Sequence, residues 1–254
     1  MERISIASYS FHKLLSRGMI DVFGYLEATR YRYGIVNADI WNGYLTSYDD
    51  DYLQKIREAM DDRGMTLGSL CCDGAHPWAD DPDAKKSQDA KAQDCLRAAE
   101  ILGAKTVRID VGIREMEPNE KQMDVVTRAF QSYCKRGEDC GFRFGPENHW
   151  GASRRLSIQK ELAARVNSPA YGILLHLNNW ELVGGETLDG NDQAAAKLAV
   201  HTHVDYNVSP RSCEVLPALR NAGYTGLWGL EHHTEVDEMR KVELQLAQIR
   251  LAKY

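Results

Sequence analysis

The stretch "GILLHLNNW", Gly172 to Trp180, opens as a short apolar run of the kind that lies buried, then stops on a histidine and two asparagines. A buried strand that leads straight into imidazole and amide groups is costly unless those groups meet partners. Three other stretches end in the same way. "RFGPENHW" (143–150) carries Glu147, "AVHTHVDYN" (199–207) carries His203, and "GLWGLEHHT" (226–234) carries Glu231. With His176 they form a series 29, 27 and 28 residues apart, about one strand–helix unit each time. Each polar residue therefore falls at the same height of its strand.

Outward from these four, short β-rich runs alternate with longer amphipathic segments along the whole chain. The strand pattern covers Arg3–Ser8, Gly34–Ile40, Thr66–Cys71, Thr106–Val111, Arg143–Glu147, Gly172–Leu177, Ala199–Val204 and Leu227–Glu231. Helical spacing marks the segments between them, including "VFGYLEATRYRY" (22–33) and a last helix that runs to the C-terminus. Leu182–Lys197 reads as a loop leading into a short helix. Eight units without a linker or a change of composition predict one domain over residues 1–254, a closed (β/α)8 or TIM barrel. No GxGxxG follows the first strand, which argues against an open dinucleotide-binding sheet.

Composition bounds the function. The 254 residues are 43% hydrophobic and 27% charged, with a net charge of −6. An acidic chain without a basic stripe is a poor binder of nucleic acid. No apolar run is long enough to span a bilayer, and "MERISIASYSF" has no charged-then-apolar leader. The six cysteines form no CxxC pair, so reduced thiols in a cytoplasmic protein are expected.

In such a barrel the loops after the strands form the active-site face. Two carboxylates and two imidazoles converging there suit one divalent cation held by Glu147, His176, His203 and Glu231. The two carboxylates tilt the choice toward Mn2+ or Mg2+, while imidazole also suits Co2+ and Zn2+. Taken singly, each of these residues is more often a hydrogen-bonded polar group or a substrate contact. His149 shares the strand face of Glu147, as an acid/base or as a group that orients a ligand. His201 lies one layer below His203 and reads as structural, and His232 points away from Glu231. Asn179, His76, His12, Trp150 and Arg211 follow strands and are candidate substrate contacts, each also readable as a local structural group. Trp41, Trp78, Trp150 and Trp180 suggest an aromatic rim. Cys71 and Cys72 read as core.

The chain resembles the xylose isomerase-like barrel superfamily over nearly its whole length. "ENHW" (147–150), "HLNNW" (176–180), "HTHVD" (201–205) and "GYTGLWGLEHH" (223–233) carry the likeness. It implies that Glu147, His203 and Glu231 are metal ligands. His176 stands where the family usually has Asp, and Asn179 where some members have His. The implied activity is a sugar isomerase or epimerase that abstracts the proton α to a carbonyl through a metal-stabilised enediolate, with Glu147, Glu231 and His149 as catalytic candidates. The alternative is a lyase that β-eliminates the aglycone of a 3-keto-glycoside, as in deglycosidases that work with a small partner subunit. A DNA-repair endonuclease would need more His and Asp ligands after the sixth strand. A non-catalytic sugar-binding subunit would not need paired glutamates. The partner implied is a small sugar or keto-sugar, and homo-oligomers are frequent in the family.

Overall fold

Residues 3–252 are described in a computed structural model. The eight expected strands are present: β1 (Ile4–Ala7), β2 (Asn37–Trp41), β3 (Thr66–Cys72), β4 (Thr106–Ile109), β5 (Arg143–Gly145), β6 (Ile173–His176), β7 (Ala199–Asp205) and β8 (Trp228–Glu231). All pair in parallel, in the order β5-β4-β3-β2-β1-β8-β7-β6. Single bridges Phe144–Tyr171 and Glu147–Leu174 complete the ring between β5 and β6. The result is a TIM barrel whose strands are buried along most of their length because the interior and the helices cover both faces.

Nine helices surround the ring among the described residues: α1 (His12–Ser16), α2 (Val22–Glu27), α3 (Asp50–Asp62), α4 (Pro82–Leu102), α5 (Glu120–Cys140), α6 (Leu156–Val166), α7 (Leu188–Ala195), α8 (Ser212–Asn221) and α9 (Glu238–Leu251). Their ends carry the expected chemistry. Asp81 caps α4 by accepting from the Ala84 N–H at 2.7 Å, and Asn119 with Gln122 forms a capping box on α5. Gly103 and Gly141 close the same helices in the left-handed conformation.

Strand bounds shift by one to three residues, as in β2 and β4, and two further departures have a local form. The helix read over 22–33 is regular only to Glu27, after which Ala28–Arg32 widens into a π-turn. β5 stops at Gly145 because Pro146 has no N–H for the ladder; its carbonyl still accepts from Leu174 at 3.0 Å. The last two residues of the expected C-terminal helix, Lys253 and Tyr254, lie outside the described residues. No described helix is long and apolar enough to cross a membrane, and all six cysteines are free thiols.

Candidate metal centre and active-site cleft

Barrel shear brings the four polar strand ends to one point. His176 pairs directly with His203, whereas Glu147 pairs with Leu174, two residues before His176. Glu231 lies two residues beyond Gly229, the partner of His203. Tilted strands need such a stagger, about one residue per strand, to bring side chains to equal height. One ligand atom from each of the four residues falls within 4.8 Å of all the others, and all four residues are buried.

The contacts form a closed circuit. Glu147 Oε1 lies 3.0 Å from His176 Nδ1 and 2.8 Å from His203 Nδ1. Glu231 Oε2 lies 3.1 Å from His203 Nδ1 and 3.5 Å from His176 Nδ1. Neighbouring donors held at about 2.0–2.2 Å from a single cation stand roughly 3 to 3.5 Å apart. The donor set therefore fits a divalent ion. Asp205 Oδ2 stands 3.8 Å from the other nitrogen of His176, the usual place for a carboxylate that orients a ligating imidazole.

Electrostatics point the same way. Burial pushes the Glu147 carboxyl up, but the imidazoles of His203, His149 and His176 outweigh it and hold it well below the usual carboxylate range. Glu231 is held down similarly, chiefly by His203 against its own burial. In return, although burial disfavours cationic imidazole, Glu231 and Glu147 drive His203 well above its ordinary value, and Asp205, Glu147 and Glu231 push His176 up to about 10. Arg108 is buried among Asp73, Asp110 and Glu147, whose charges keep it protonated despite that burial. With neutral histidines, these carboxylates together with Glu231 and Asp205 would face one guanidinium. A bound cation removes that surplus.

A cavity of about 600 Å³, open to solvent, leads to the cluster, and a second of about 720 Å³ adjoins it through His149 and His233. Glu147, His149, His203 and Glu231 line the first, and His149, His176 and Asn179 the second. Asn179 donates to the backbone carbonyls of Asn148 at 2.8 Å and His149 at 3.1 Å, bracing the loop after β5. The other candidate contacts line neither cavity. His12 stacks on Tyr9 and faces Glu238 at 3.4 Å. His76 meets the Asp110 carbonyl at 3.2 Å and the edge of Trp150. Arg211 is held by Asp189 and Glu214. Of the four rim tryptophans, Trp41 alone lines the cavities; Trp180 is buried and donates to Asp192 at 2.7 Å.

The cleft also holds residues that sequence reading passed over. His232 turns away to Gln245 as expected, but His233 returns, 2.9 Å from Glu231 Oε2. Two-residue periodicity from Glu231 gives that position. The same rule finds Asp205 from His203. Arg108 and Asp110 alternate in "TVRIDV" on β4 and just beyond it, and Asp110 accepts from the Glu147 N–H at 2.9 Å while facing His149 Nδ1 at 3.4 Å. Cys71 lines the cavity, 4.0 Å from His203 Nε2, instead of packing in the core with Cys72. One layer deeper, His201 meets Asp39 at 2.8 Å, as the structural reading of His201 expected.

Comparison with solved structures shows this fold in several proteins. The 3-keto-D-glucoside 4-epimerase of E. coli superposes with a TM-score of 0.76 at 11% identity, covering 99% of this chain and 100% of that one. D-psicose 3-epimerase of Clostridium cellulolyticum gives 0.75 at 16%, covering 99% and 98%. The probable 3-DHS dehydratase of Bacillus anthracis gives 0.71 at 12%, covering 100% and 99%. At these identities the likeness is one of fold. A sequence search of curated proteins gives no match. The family model described as xylose isomerase-like TIM barrel matches residues 30–250, most of the chain. The chain belongs to the xylose isomerase-like TIM barrel family.

Proposed function

We propose that the protein is a divalent-metal-dependent sugar isomerase or epimerase that abstracts the proton α to a carbonyl. The observation that supports this most is the circuit of Glu147, His176, His203 and Glu231 at the inner end of an open cleft. Two sugar epimerases that share the fold, one for a 3-keto-glucoside and one for D-psicose, are consistent with it. Manganese is the ion we favour, because the mixed imidazole–carboxylate set suits it.

A bound cation supplies Lewis acidity, polarising a carbonyl so that the adjacent C–H becomes acidic. The chain's residues then move protons. Glu147 and Glu231 enter from different strands and both are ionised, so each can accept a proton at a carboxylate oxygen. A proton taken by one of them, with delivery to the opposite face from the other once that group has drawn a proton from water, inverts a carbon; return of the proton to the neighbouring carbon isomerises the sugar. His149, turned to Asp110 at Nδ1 and half-exposed in the cleft, exchanges a proton with a substrate hydroxyl. Asp205 faces the far nitrogen of His176 at 3.8 Å and supplies negative charge there.

The direct test is deuterium exchange. Manganese-loaded protein in D2O should exchange the proton α to the ketone of a bound ketose, and chelation should stop it. A ketose that binds the loaded protein without exchange would remove the enolisation reading. A lyase would perform the same abstraction and then expel an aglycone from a 3-keto-glycoside. That reading drew on His176 standing where the family usually has Asp and on an aromatic rim; of the four rim tryptophans Trp41 alone lines the cavities, which weakens the second ground.

Metal affinity should also depend on pH in a defined direction. In the metal-free protein His176 and His203 hold protons at neutral pH, since their values are raised. Cation binding must displace those protons, so affinity rises with pH, by up to about tenfold per unit for each proton released. Calorimetric titration at pH 6.5, 7.5 and 8.5 in buffers of different ionisation heat counts the protons. An affinity flat over that range would contradict the assignment of both histidines as ligands.

A further inference from the structure

One guanidinium away from Glu147, the cleft has a second fixed anion. Asp73 follows β3, and Asn42 pins its backbone on both sides: the Asp73 N–H donates to Asn42 Oδ1 at 3.0 Å and its carbonyl accepts from Asn42 Nδ2 at 3.0 Å. Its Oδ1 accepts from Arg108 Nη1 at 2.5 Å and its Oδ2 from Trp41 Nε1 at 2.7 Å. A carboxylate oxygen has two acceptor positions, so each oxygen of Asp73 keeps one. The side chain is 46% exposed and lines the cavity that holds the four-donor circuit. Although burial pushes its carboxyl up, Arg108 and Trp41 more than offset this and keep it ionised.

The wall beside it is aromatic. Tyr9 stands edge-on to Trp41, with centroids 5.1 Å apart at 84°, and both rings line the cavity. An oriented carboxylate next to an aromatic face matches a sugar ring: hydroxyls donate to the acceptor while the C–H face covers the ring. Charge narrows the class further. Among the described residues lining the two cavities, Arg108 is the only lysine or arginine. It already faces Asp73, Asp110 and Glu147, so a phosphate held beside Asp73 would meet carboxylates and no lysine or arginine free to pair with it.

We propose that Asp73 is the specificity-determining residue of this cleft, accepting hydrogen bonds from hydroxyls of an uncharged sugar ring that lies against Trp41 and Tyr9, and that phosphorylated sugars are refused. This rests on the sugar-enzyme reading above and names its substrate class. Loss of a carboxylate that reads hydroxyls costs binding because the hydroxyls are left unpaired.

The test uses the full chain loaded with manganese and two sets of probes: D-glucose, D-fructose and D-psicose, and D-glucose 6-phosphate with D-fructose 6-phosphate. Saturation-transfer NMR should show at least one free sugar binding tenfold or more tightly than its phosphate. Asp73→Asn, which keeps the shape, should weaken that sugar at least tenfold with unchanged manganese content. Asp73→Ala, which removes the one carboxylate that stands between the guanidinium and the open cleft, should shift the preference toward the phosphates. The proposal falls if a phosphate binds the parent as tightly as its free sugar, if none of the free sugars binds, or if Asp73→Asn leaves affinity unchanged. Manganese titration and deuterium exchange of the parent judge the wider sugar-enzyme reading separately.

Discussion

Exchanging Glu147 for glutamine is expected to abolish turnover, by at least about a thousandfold, while the barrel remains folded. Glu147 joins several parts of the cleft. Its Oε1 lies between two imidazoles, its Oε2 faces Arg108 Nε at 3.2 Å, and its backbone N–H is fixed by Asp110. An amide keeps the volume and removes the charge. Arg108 then loses a counter-ion, and the circuit loses one of its two anionic donors. Removing one partner from a buried ion pair costs up to about 3–5 kcal/mol, and the low end applies here because His176 and His203 can shed protons in response. The metal-free variant should therefore melt several degrees lower with an unchanged circular dichroism spectrum. Manganese affinity should fall by at least about ten- to a hundredfold, the range seen when even a supporting contact is lost. A variant that keeps a tenth of the parent's turnover would remove Glu147 from both roles.

Glu147 was legible in the sequence because its signal is local: an apolar run that breaks on a strong ligand type, repeated once per unit. Stagger between strands does not disturb that signal, since each unit carries its own copy. Arg108 and Asp110 lay in an equally apolar run, but arginine beside aspartate has no single chemical reading until Asp73 and Glu147 are seen around it. Other candidates line neither cavity, for a different reason. His12 and Arg211, read as substrate contacts, and Trp180, read as part of the rim, follow strands, yet each is held by a partner from another loop or helix: Glu238, Asp189 and Asp192. Sequence position gives the rim of the barrel. It does not give the direction of a side chain whose partner is distant in the chain. His233 was recoverable, because two-residue periodicity returns it to the face of Glu231.

The second large effect concerns the closure that brings Glu147 to His176. β5 and β6 meet through single bridges instead of a continuous ladder, and two glycines face each other there. A Cβ on Gly145 would sit 1.5 Å from the Gly172 carbonyl oxygen and 2.7 Å from its carbon, all backbone atoms that cannot rotate away. A Cβ on Gly172 would in turn meet Val200 Cγ1 at 2.1 Å. Gly145→Ala must therefore push β6 outward. Overpacking against flexible side chains costs about 1–3 kcal/mol, and a backbone collision belongs at or above the top of that range. For a chain of this size about 3 kcal/mol lowers the melting temperature by roughly 6–12 °C. Gly141→Ala is the matched control: nothing lies within 4 Å of its Cβ, so only its left-handed backbone, φ +85°, opposes the change, at a cost of about 1–2 kcal/mol. The two variants should differ again in manganese affinity, because moving β6 carries His176 away from Glu147 and leaves the circuit open. Equal melting temperatures, or full manganese binding by Gly145→Ala, would show that the junction yields without disturbing the site. The metal centre would then depend on the ends of the strands and not on how tightly the ring is closed.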